Sequence, residues 1–275
     1  LSVMEALKHG GIANRTKVSI KWVDSEFLTP EILDDTFAGV DGIIIPGGFG
    51  SRGTEGMILA ANYARENKIP FLGICLGMQM AMVAFARNVL GYEDANSSEL
   101  NPDTTHPVVD LMPDQNGIEN LGGTLRLGSY PCVLDKKSKA YALYGTELIN
   151  ERHRHRFEIN NHYRDDFTSH GMMISGQSPD GHIVEMIELP DHPFYVGIQA
   201  HPELKSRPNH AHPLFAGFVE SAEEQGVLRR AKKLLMKRNH LSEPEAHRYL
   251  QKTSMDTGRT MTESAHMVTM LIHED

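Results

Sequence analysis

Short apolar runs alternate with segments of helical periodicity over roughly the first 200 residues, a pattern typical of a sheet covered by helices. Continuous apolar runs at Gly42–Ile45 and Pro70–Ile74 predict strands that are buried on both faces. The alternation of Val18, Ile20 and Trp22 with polar residues predicts a half-buried strand. Later strands are predicted at Met172–Ser175, Ile183–Ile187 and Tyr195–Gln199. The predicted fold class is therefore α/β, an open and mostly parallel sheet with helices on both faces.

The helical patterns follow the buried strands along the chain. Apolar residues at positions 57, 60, 61 and 64 predict a helix over Thr54–Asn67, and the segment after Cys75 has similar spacing at 78, 82, 83 and 86. We assign the methionines of both helices to the core. From about Gly91 to Asn120 the chain is rich in Asn, Asp, Pro and Gly, which predicts a long surface loop.

The pattern changes after Gly217, where two or three amphipathic helices remain. Ser242-Glu-Pro-Glu245 predicts a helix start with a capping box, and this helix is expected to end near Ser254. We place a boundary near Glu223–Val227, where no linker rich in Pro and Gly intervenes, so the last helix of the body is expected to continue across it. The predicted domains are 1–222 and a small three-helix module at 227–275.

The composition is that of a globular protein. Apolar residues make up 40% and charged residues 23% of the 275 residues, and no run approaches the roughly 20 apolar residues of a membrane-spanning helix. We therefore expect no membrane partner. No secretory signal pattern is recognisable, so a cytoplasmic location is expected.

Charge is distributed unevenly along the chain. The formal net charge is −9, yet residues 226–275 contain nine Lys/Arg and six Asp/Glu, so a tail of +3 follows a body of −12. A basic segment on an acidic body indicates either a polyanionic partner or a solvated helix face. Charge alone does not separate these interpretations.

Only two cysteines are present, Cys75 and Cys132, which excludes a disulfide scaffold and a zinc site made of several thiolates. Cys75 lies in Gly73-Ile-Cys-Leu-Gly77, between a predicted buried strand and a predicted helix. A sharp strand-to-helix turn exposes a nucleophile, and the helix N-terminus favours the thiolate. The alternative is a structural cysteine in a tight turn, because free cysteine is often buried.

A thiolate nucleophile needs a base and a group that orients the base, and both usually come from elsewhere in the sequence. His201-Pro-Glu203 supplies both directly after the strand predicted at Tyr195–Gln199, so it is expected at the carboxyl edge of the sheet. Pro46-Gly-Gly-Phe-Gly50 also follows a buried strand. Its glycines either direct backbone N–H groups toward a developing oxyanion or form a plain tight turn.

These three segments, in this order and at this spacing, resemble the class I glutamine amidotransferases. More narrowly, the chain resembles the glutaminase domain of the CTP synthases over about residues 1–222. The narrower resemblance rests on Gly73-Ile-Cys-Leu-Gly-Met-Gln79, Gly123-Thr-Leu-Arg-Leu-Gly128, Glu151-Arg-His-Arg-His-Arg-Phe-Glu-Ile-Asn-Asn161 and His212-Pro-Leu-Phe-Ala-Gly217.

The resemblance implies hydrolysis of L-glutamine and a role for each matching residue. Cys75 would be the nucleophile, His201 the acid/base and Glu203 the residue that orients it. The other implied roles are the oxyanion-hole N–H groups of Gly48 and Leu76, the glutamine-binding stretch Leu76, Gly77, Met78 and Gln79, the ammonium anchor Glu99, and Arg156, which braces the site or meets the carboxylate. The resemblance makes His153 and His155 structural, so no metal site is expected.

The resemblance also implies what this chain lacks. Full-length CTP synthases carry an N-terminal synthase domain that uses ATP, UTP and Mg²⁺ and receives the ammonia, so a separate synthase domain or subunit is an expected partner. No cofactor is expected for the glutaminase step. The first glutaminase strand of the family precedes the helix at Leu1, so one strand of the sheet is expected to be missing.

The C-terminal segment carries a second resemblance. Ala231-Lys-Lys-Leu-Leu-Met-Lys-Arg-Asn-His-Leu-Ser-Glu-Pro-Glu-Ala-His-Arg-Tyr-Leu250 and the following Gln251-Lys-Thr-Ser-Met-Asp256 resemble an ANTAR domain, over about residues 227–272. That family is a three-helix module that binds hairpin RNA in transcription antitermination. The candidate phosphate contacts are Lys232, Lys233, Lys237, Arg238, Arg248 and Lys252. The alternative is a solvated helical tail with a role in oligomerisation, and we expect a homo-oligomer.

Two functions remain open from the sequence. The first is an enzyme, the glutamine-hydrolysing half of a CTP synthase-like ligase with an RNA-binding tail. The second is a regulator in which the glutaminase fold senses glutamine and the tail binds RNA. The complete set of triad residues favours the enzyme, whereas the absence of a synthase domain favours the regulator.

Overall fold

The structure is a computed structural model that describes residues 1–111 and 126–271. The chain divides into two compact units, Leu1–Val219 and Glu220–Asp275. The end of the predicted loop at 112–120, the first half of the motif at 123–128 and the last four residues lie outside the described residues.

Helices and strands alternate along the first unit, and the described part of the second unit contains only helices. The helices are α1 (Ser2–Ala13), α2 (Leu33–Phe37), α3 (Thr54–Glu66), α4 (Leu76–Phe85), α5 (Lys139–Tyr144), α6 (Arg164–Ser169), α7 (Pro213–Asn239), α8 (Glu243–Thr257) and α9 (Met261–Leu271). The strands are β1 (Ile43–Ile45), β2 (Phe71–Ile74), β3 (Asn96–Ser97), β4 (Pro107–Asp110), β5 (Arg126–Leu134), β6 (Leu148–His155), β7 (Glu158–Ile159), β8 (Met173–Gln177), β9 (Val184–Glu188) and β10 (Tyr195–Ile198). The predicted boundary at 223–227 falls inside α7, so the helix is continuous there.

The main sheet has seven strands in the order β1-β2-β10-β9-β8-β5-β6. The α/β class is confirmed, but the prediction of a mostly parallel sheet needs a correction. Only the pairings among β1, β2 and β10 are parallel, and the other four are antiparallel. The apolar pattern of a strand reports how deeply it is buried, and it does not report the direction of its neighbour.

Helices cover both faces of the central strands, as the continuous apolar runs predict. In β2, Phe71 packs in a cluster that includes residues of α3 and α4. Leu72 and Ile74 belong to a separate cluster that contains residues of α1 and the start of α7. Every residue of α4 is buried, and Met78 and Met82 have no exposed surface, which confirms that these methionines form core.

The prediction of a strand around Val18 is wrong. Residues 16–24 contain no strand, and none of the described residues pairs with them in a ladder. Val18 and Ile20 nevertheless pack against the α1 side of the core, whereas Trp22 is 73% exposed. The alternation therefore correctly placed Val18 and Ile20 against the core but not Trp22, and a strand also requires a hydrogen-bonding neighbour.

The predicted long loop contains secondary structure. Its strands β3 and β4 form a small three-stranded sheet with β7. Val109 of β4 opposes Ile159 of β7 in antiparallel register, and both residues are almost fully buried. This small sheet holds the segment that precedes Glu99 and the segment that follows β6, and both border the cleft described below.

The second unit buries a separate apolar cluster. It consists of Val227, Ala231 and Leu235 from α7, Ala246 and Leu250 from α8, and Ala265 and Val268 from α9. The capping box is present, because the Ser242 backbone N–H donates to Glu245 Oε2 at 2.7 Å. Across both described ranges, no helix combines the length and apolar character needed to cross a bilayer.

Candidate active site

Cys75 occupies a strained turn between β2 and α4. Its backbone has φ 51° and ψ −105°, a conformation that non-glycine residues rarely adopt. The flanking glycines permit this turn. A Cβ atom on Gly73 would lie 2.7 Å from the carbonyl oxygen of Gly77, and one on Gly77 would overlap the carbonyl oxygen of Ile45. The tight packing holds the strained residue in place at the start of a helix.

His201 follows β10, whose neighbour in the sheet is β2, and it faces Cys75. Its Nδ1 donates to Glu203 Oε1 at 2.8 Å, and its ring lies close enough to Cys75 to interact with it. Burial disfavours the charged ring, but the hydrogen bonds and the negative charges of Cys75 and Glu203 raise the pKa of His201 to about 10. The geometry therefore favours an imidazolium beside the sulfur.

The glycine-rich turn after β1 lies against this pair. A Cβ atom on Gly47 would be 2.7 Å from Cε1 of His201 and 3.4 Å from Cβ of Cys75. Gly48 lines the cleft above the sulfur. Leu76 is the first residue of α4, so its backbone N–H has no intrahelical acceptor. Both backbone segments therefore border the cleft that Cys75 also lines.

Most of the predicted site residues come together in one cleft. The cleft is lined by Gly48, Phe49, Gly50, Cys75, Leu76, Gln79, Glu99, Leu100, Leu127, Arg152, His153, Arg154, His155, Arg156, Phe157 and Leu204. Arg156 and Glu99 approach each other at 3.8 Å at this cleft. Gly77 and Met78 do not line it, because Gly77 packs against Ile45 and Met78 is fully buried beside Gly197.

Several cleft residues were not predicted. Phe49, Leu127 and Leu204 are exposed apolar side chains at the cleft, and the guanidinium carbon of Arg154 lies 5.7 Å from the centre of the Phe49 ring. For the arginines of β6 that line the cleft, the sequence does contain a signal, the alternation of Arg and His along this strand. It is a strand pattern with the arginines on the exposed side and the histidines on the buried side.

A buried ionisable network lies beneath the histidines of β6. Arg126 donates to Glu185 at 2.6 Å and to Glu158 at 3.4 Å. A hydrogen bond of 2.9 Å joins His153 and His155. Burial, assisted by the positive charge of Arg126, lowers the pKa of His153 to about 2 and that of His155 to about 3, so both rings are neutral. Within the described residues, no group of three potential ligands has the geometry to hold a metal ion.

Glu158→Gln is expected to change how stability depends on pH. Burial, together with the Glu185 carboxylate and against the attraction of Arg126, raises the pKa of Glu158 to about 8. Between about pH 4.5 and pH 8 the native state holds a proton that the unfolded state has lost, so this stabilising contribution falls as pH rises. The neutral amide removes that dependence. The Tm of the variant relative to wild type should therefore increase from about pH 5 to about pH 8.

The matched control for this measurement is Glu93→Gln, which removes an exposed carboxylate of the same unit. Its Tm difference from wild type should stay constant over the same pH range. A constant difference for Glu158→Gln as well would contradict a protonated Glu158.

The basic residues predicted to contact RNA differ in their surroundings. Lys232 is partly buried and forms an ion pair with Glu243 at 2.6 Å. Lys233, Lys237, Arg238, Arg248 and Lys252 are exposed. Among the described residues, Lys233 and Lys237 have no ion pair within 4.0 Å and are one helical turn apart on α7. They present two free positive charges on one side of the helix.

Comparisons with known proteins agree with both parts of the chain. The family model "Glutamine amidotransferase class-I" matches residues 1–221, and the model "ANTAR domain" matches residues 218–268. CTP synthases are similar to this chain: that of Clostridium beijerinckii is 59% identical over 82% of the chain, and that of Carboxydothermus hydrogenoformans 59% over 80%. The chain spans only 42% and 41% of their lengths.

Solved structures show the same relationship. The glutaminase domain of Trypanosoma brucei CTPS, determined with bound acivicin, superposes with a TM-score of 0.77 at 36% identity. The match covers 81% of this chain and 87% of that domain. A Thermoplasma acidophilum protein described as a GMP synthase subunit has a TM-score of 0.52 at 16% identity and shares the fold. Because the family model matches most of the chain and the relatives share its sequence and fold, the chain belongs to the class I glutamine amidotransferases.

Proposed function

We propose that this chain hydrolyses L-glutamine to glutamate and ammonia through Cys75, His201 and Glu203. The observation that carries the proposal is the arrangement of these three groups. A strained turn presents the sulfur, the His201 ring lies next to Cys75, and Glu203 binds Nδ1 of that ring. This is the order of nucleophile, base and orienting group that covalent catalysis by a thiolate requires.

The reaction proceeds in two stages. The Cys75 thiolate attacks the carboxamide carbon and forms a C–S bond, and the resulting oxyanion is held by the N–H groups of Gly48 and Leu76. The C–N bond then breaks, and His201 gives its proton to the departing nitrogen, so ammonia leaves a thioester. His201 next takes a proton from water, which attacks the thioester. Expulsion of the thiolate releases glutamate and restores the ion pair.

The remaining cleft residues bind the amino-acid end of glutamine. Glu99 accepts the α-ammonium group, and Arg156 meets the α-carboxylate or braces the site. Both side chains line the cleft, 3.8 Å apart, and their charges are opposite to those of these ligand groups. Leu76 and Gln79 in the N-terminal part of α4 hold the side chain, and Gly77 and Met78, which do not line the cleft, contribute only to the packing of that turn. No cofactor takes part in this step.

The ammonia is the useful product. We propose that it passes to a CTP synthase-type domain or subunit, in which UTP is converted to CTP with ATP and Mg²⁺. The similarity to whole CTP synthases, of which this chain spans less than half, supports this proposal.

The experiment is release of ammonia and glutamate from L-glutamine by the purified chain. Equal amounts of the two products are expected. Acivicin, which is bound in the T. brucei domain, is expected to inhibit the release. Binding of glutamine, detected by calorimetry, without any release of ammonia would favour the regulator over the enzyme.

The second unit is proposed to bind hairpin RNA through its exposed lysines and arginines. The match to the ANTAR model and the free charges of Lys233 and Lys237 support this proposal. Counterions released from RNA phosphates make such binding strongly dependent on salt.

Lys233→Ala and Lys237→Ala are each expected to weaken binding of a short RNA stem-loop and to lower the slope of log K against log salt by about one. The measurement is fluorescence anisotropy over a range of salt concentrations. The control is Lys136→Ala, which removes an exposed lysine of the first unit. Lys232→Ala should have a smaller effect because Glu243 already neutralises this charge. Equal slopes for all four variants and wild type would contradict phosphate contacts by α7.

A further inference from the structure

Gln199 is a buried polar residue beside the nucleophile that no assigned role uses. It has no exposed surface and follows the last residue of β10, two positions before His201. Its side-chain Nε2 donates to Cys75 Sγ at 3.7 Å. The sulfur is thus bordered by the imidazole of His201 and the amide of Gln199.

The orientation of the Gln199 amide is set by its neighbours. Gln79 Nε2 donates to Gln199 Oε1 at 3.3 Å and to the carbonyl oxygen of Phe157 at 3.2 Å. With its oxygen engaged, the Gln199 amide is left with its N–H groups toward the sulfur. The chain of contacts therefore runs from Phe157 through two glutamine amides to Cys75.

The backbone fixes the two ends of the contact. The Gln199 N–H donates to the carbonyl oxygen of Glu185 at 2.9 Å, and the Cys75 N–H donates to that of Ile198 at 2.7 Å. Sulfur and amide are consequently attached to adjacent strands of one sheet. Gln199 has no exposed surface, so it can act on the sulfur without touching bound glutamine.

We infer that Gln199 is a positioning residue that holds the Cys75 thiolate by a hydrogen bond, both before attack on glutamine and when the thiolate is expelled from the thioester. A thiolate that is 5% exposed has little water to stabilise it, and a hydrogen bond to an anion is stronger than one to a neutral sulfur. The donor favours the charged sulfur and aligns it with the oxyanion N–H groups. This role rests on the proposed glutaminase function.

The test uses Gln199→Met, which removes the donor at similar volume, and Gln199→Glu, which keeps the shape and replaces the donor. Alkylation of Cys75 by iodoacetamide is followed by mass spectrometry as a function of pH. Cys132 serves as an internal reference, because burial raises the pKa of its thiol far above the usual value. The charged and titratable groups around the sulfur are His201, Glu203, Glu99, Arg152, His153, Arg154, His155 and Arg156, and both variants retain all of them.

Both variants are expected to alkylate about 10- to 100-fold more slowly than wild type near pH 7, with the pH profile moved to higher pH. The kcat for glutamine should fall by a similar factor, while KM changes by less than about twofold. Gln177→Met makes the same chemical change in β8 of the same sheet, where the amide accepts from Arg164, and should leave the alkylation profile unchanged.

An unchanged alkylation profile for Gln199→Met, with a lower Tm, would reduce Gln199 to a structural residue and overturn the inference. Alkylation does not require glutamine, so this result is independent of whether the chain turns glutamine over. A wild-type chain that alkylates rapidly at Cys75 but releases no ammonia would contradict the proposed function and leave the alkylation test of Gln199 intact.

Discussion

Replacing Cys75 with Ala is expected to reduce ammonia release from glutamine by at least about 10³-fold, to the background of the assay. Among the described residues, no other cysteine and no serine or threonine lines the cleft, so no side chain there can replace the sulfur as nucleophile. The loss should appear in kcat and not in glutamine affinity, since the carboxylate and ammonium contacts remain. Steady-state kinetics and calorimetric binding of glutamine measure the two quantities separately.

The matched control is Cys132→Ala. Cys132 is the second free cysteine, it is also buried, and it lies in β5 without lining the cleft. Its variant should retain turnover within a few-fold and lose only stability, by about 1 kcal/mol or somewhat more for the small cavity. Turnover that survives in Cys75→Ala, or that disappears in Cys132→Ala, would contradict the assignment of the nucleophile.

Cys75→Ala also distinguishes the two functions that the sequence leaves open, the enzyme and the regulator. Cys75→Ala cannot form the thioester but keeps the residues proposed to bind glutamine. If the affinity for an RNA stem-loop changes when glutamine binds to this variant, the fold senses glutamine independently of hydrolysis. If the affinity stays constant while wild type releases ammonia, the enzyme is the better description.

The central part of the fold could be predicted because the signals there are local. The apolar runs before Gly47 and Gly73 each correspond to a strand with both faces covered, and each ends in a glycine-rich turn. The position of His201 followed from one rule, that the carboxyl ends of parallel strands meet at one edge of the sheet. Since β2 and β10 are indeed parallel neighbours, the rule placed His201 next to Cys75.

The antiparallel half of the sheet could not be predicted because its signals are long-range. β6 alternates His and Arg, and nothing within that strand reveals that Arg126, Glu158 and Glu185 compensate its buried side. Gln199 was missed for the same reason. The sequence places Gln199 at the end of a predicted strand, and nothing local shows that its side chain meets Cys75 on the neighbouring strand. Pairing between distant segments, rather than local propensity, decided these features.

Glu203→Gln is expected to lower kcat for glutamine hydrolysis by about 10²- to 10⁴-fold while the protein remains folded. The amide can still occupy the place of Oε1, 2.8 Å from His201 Nδ1, but it carries no charge to stabilise the imidazolium. The hydrogen bond and charge of Glu203 both raise the pKa of His201, so the pKa should fall in the variant. Glu203→Asp retains the charge and should recover part of the lost activity.

The raised pKa of His201 determines how the stability and kcat of Glu203→Gln should differ from wild type as pH changes. In wild type the pKa of His201 is raised to about 10, so the stabilisation from its ion pair is complete below about pH 6.5 and disappears as pH rises through about 10. In Glu203→Gln the pKa of His201 should be lower, so this stabilisation should be lost at a lower pH. The alkaline limb of the kcat profile should move with it, and the Tm deficit of the variant should be at its full size near pH 6.5 and shrink to nothing as pH rises through about 10. A variant whose alkaline limb stays in place would show that Glu203 does not control the protonation of His201.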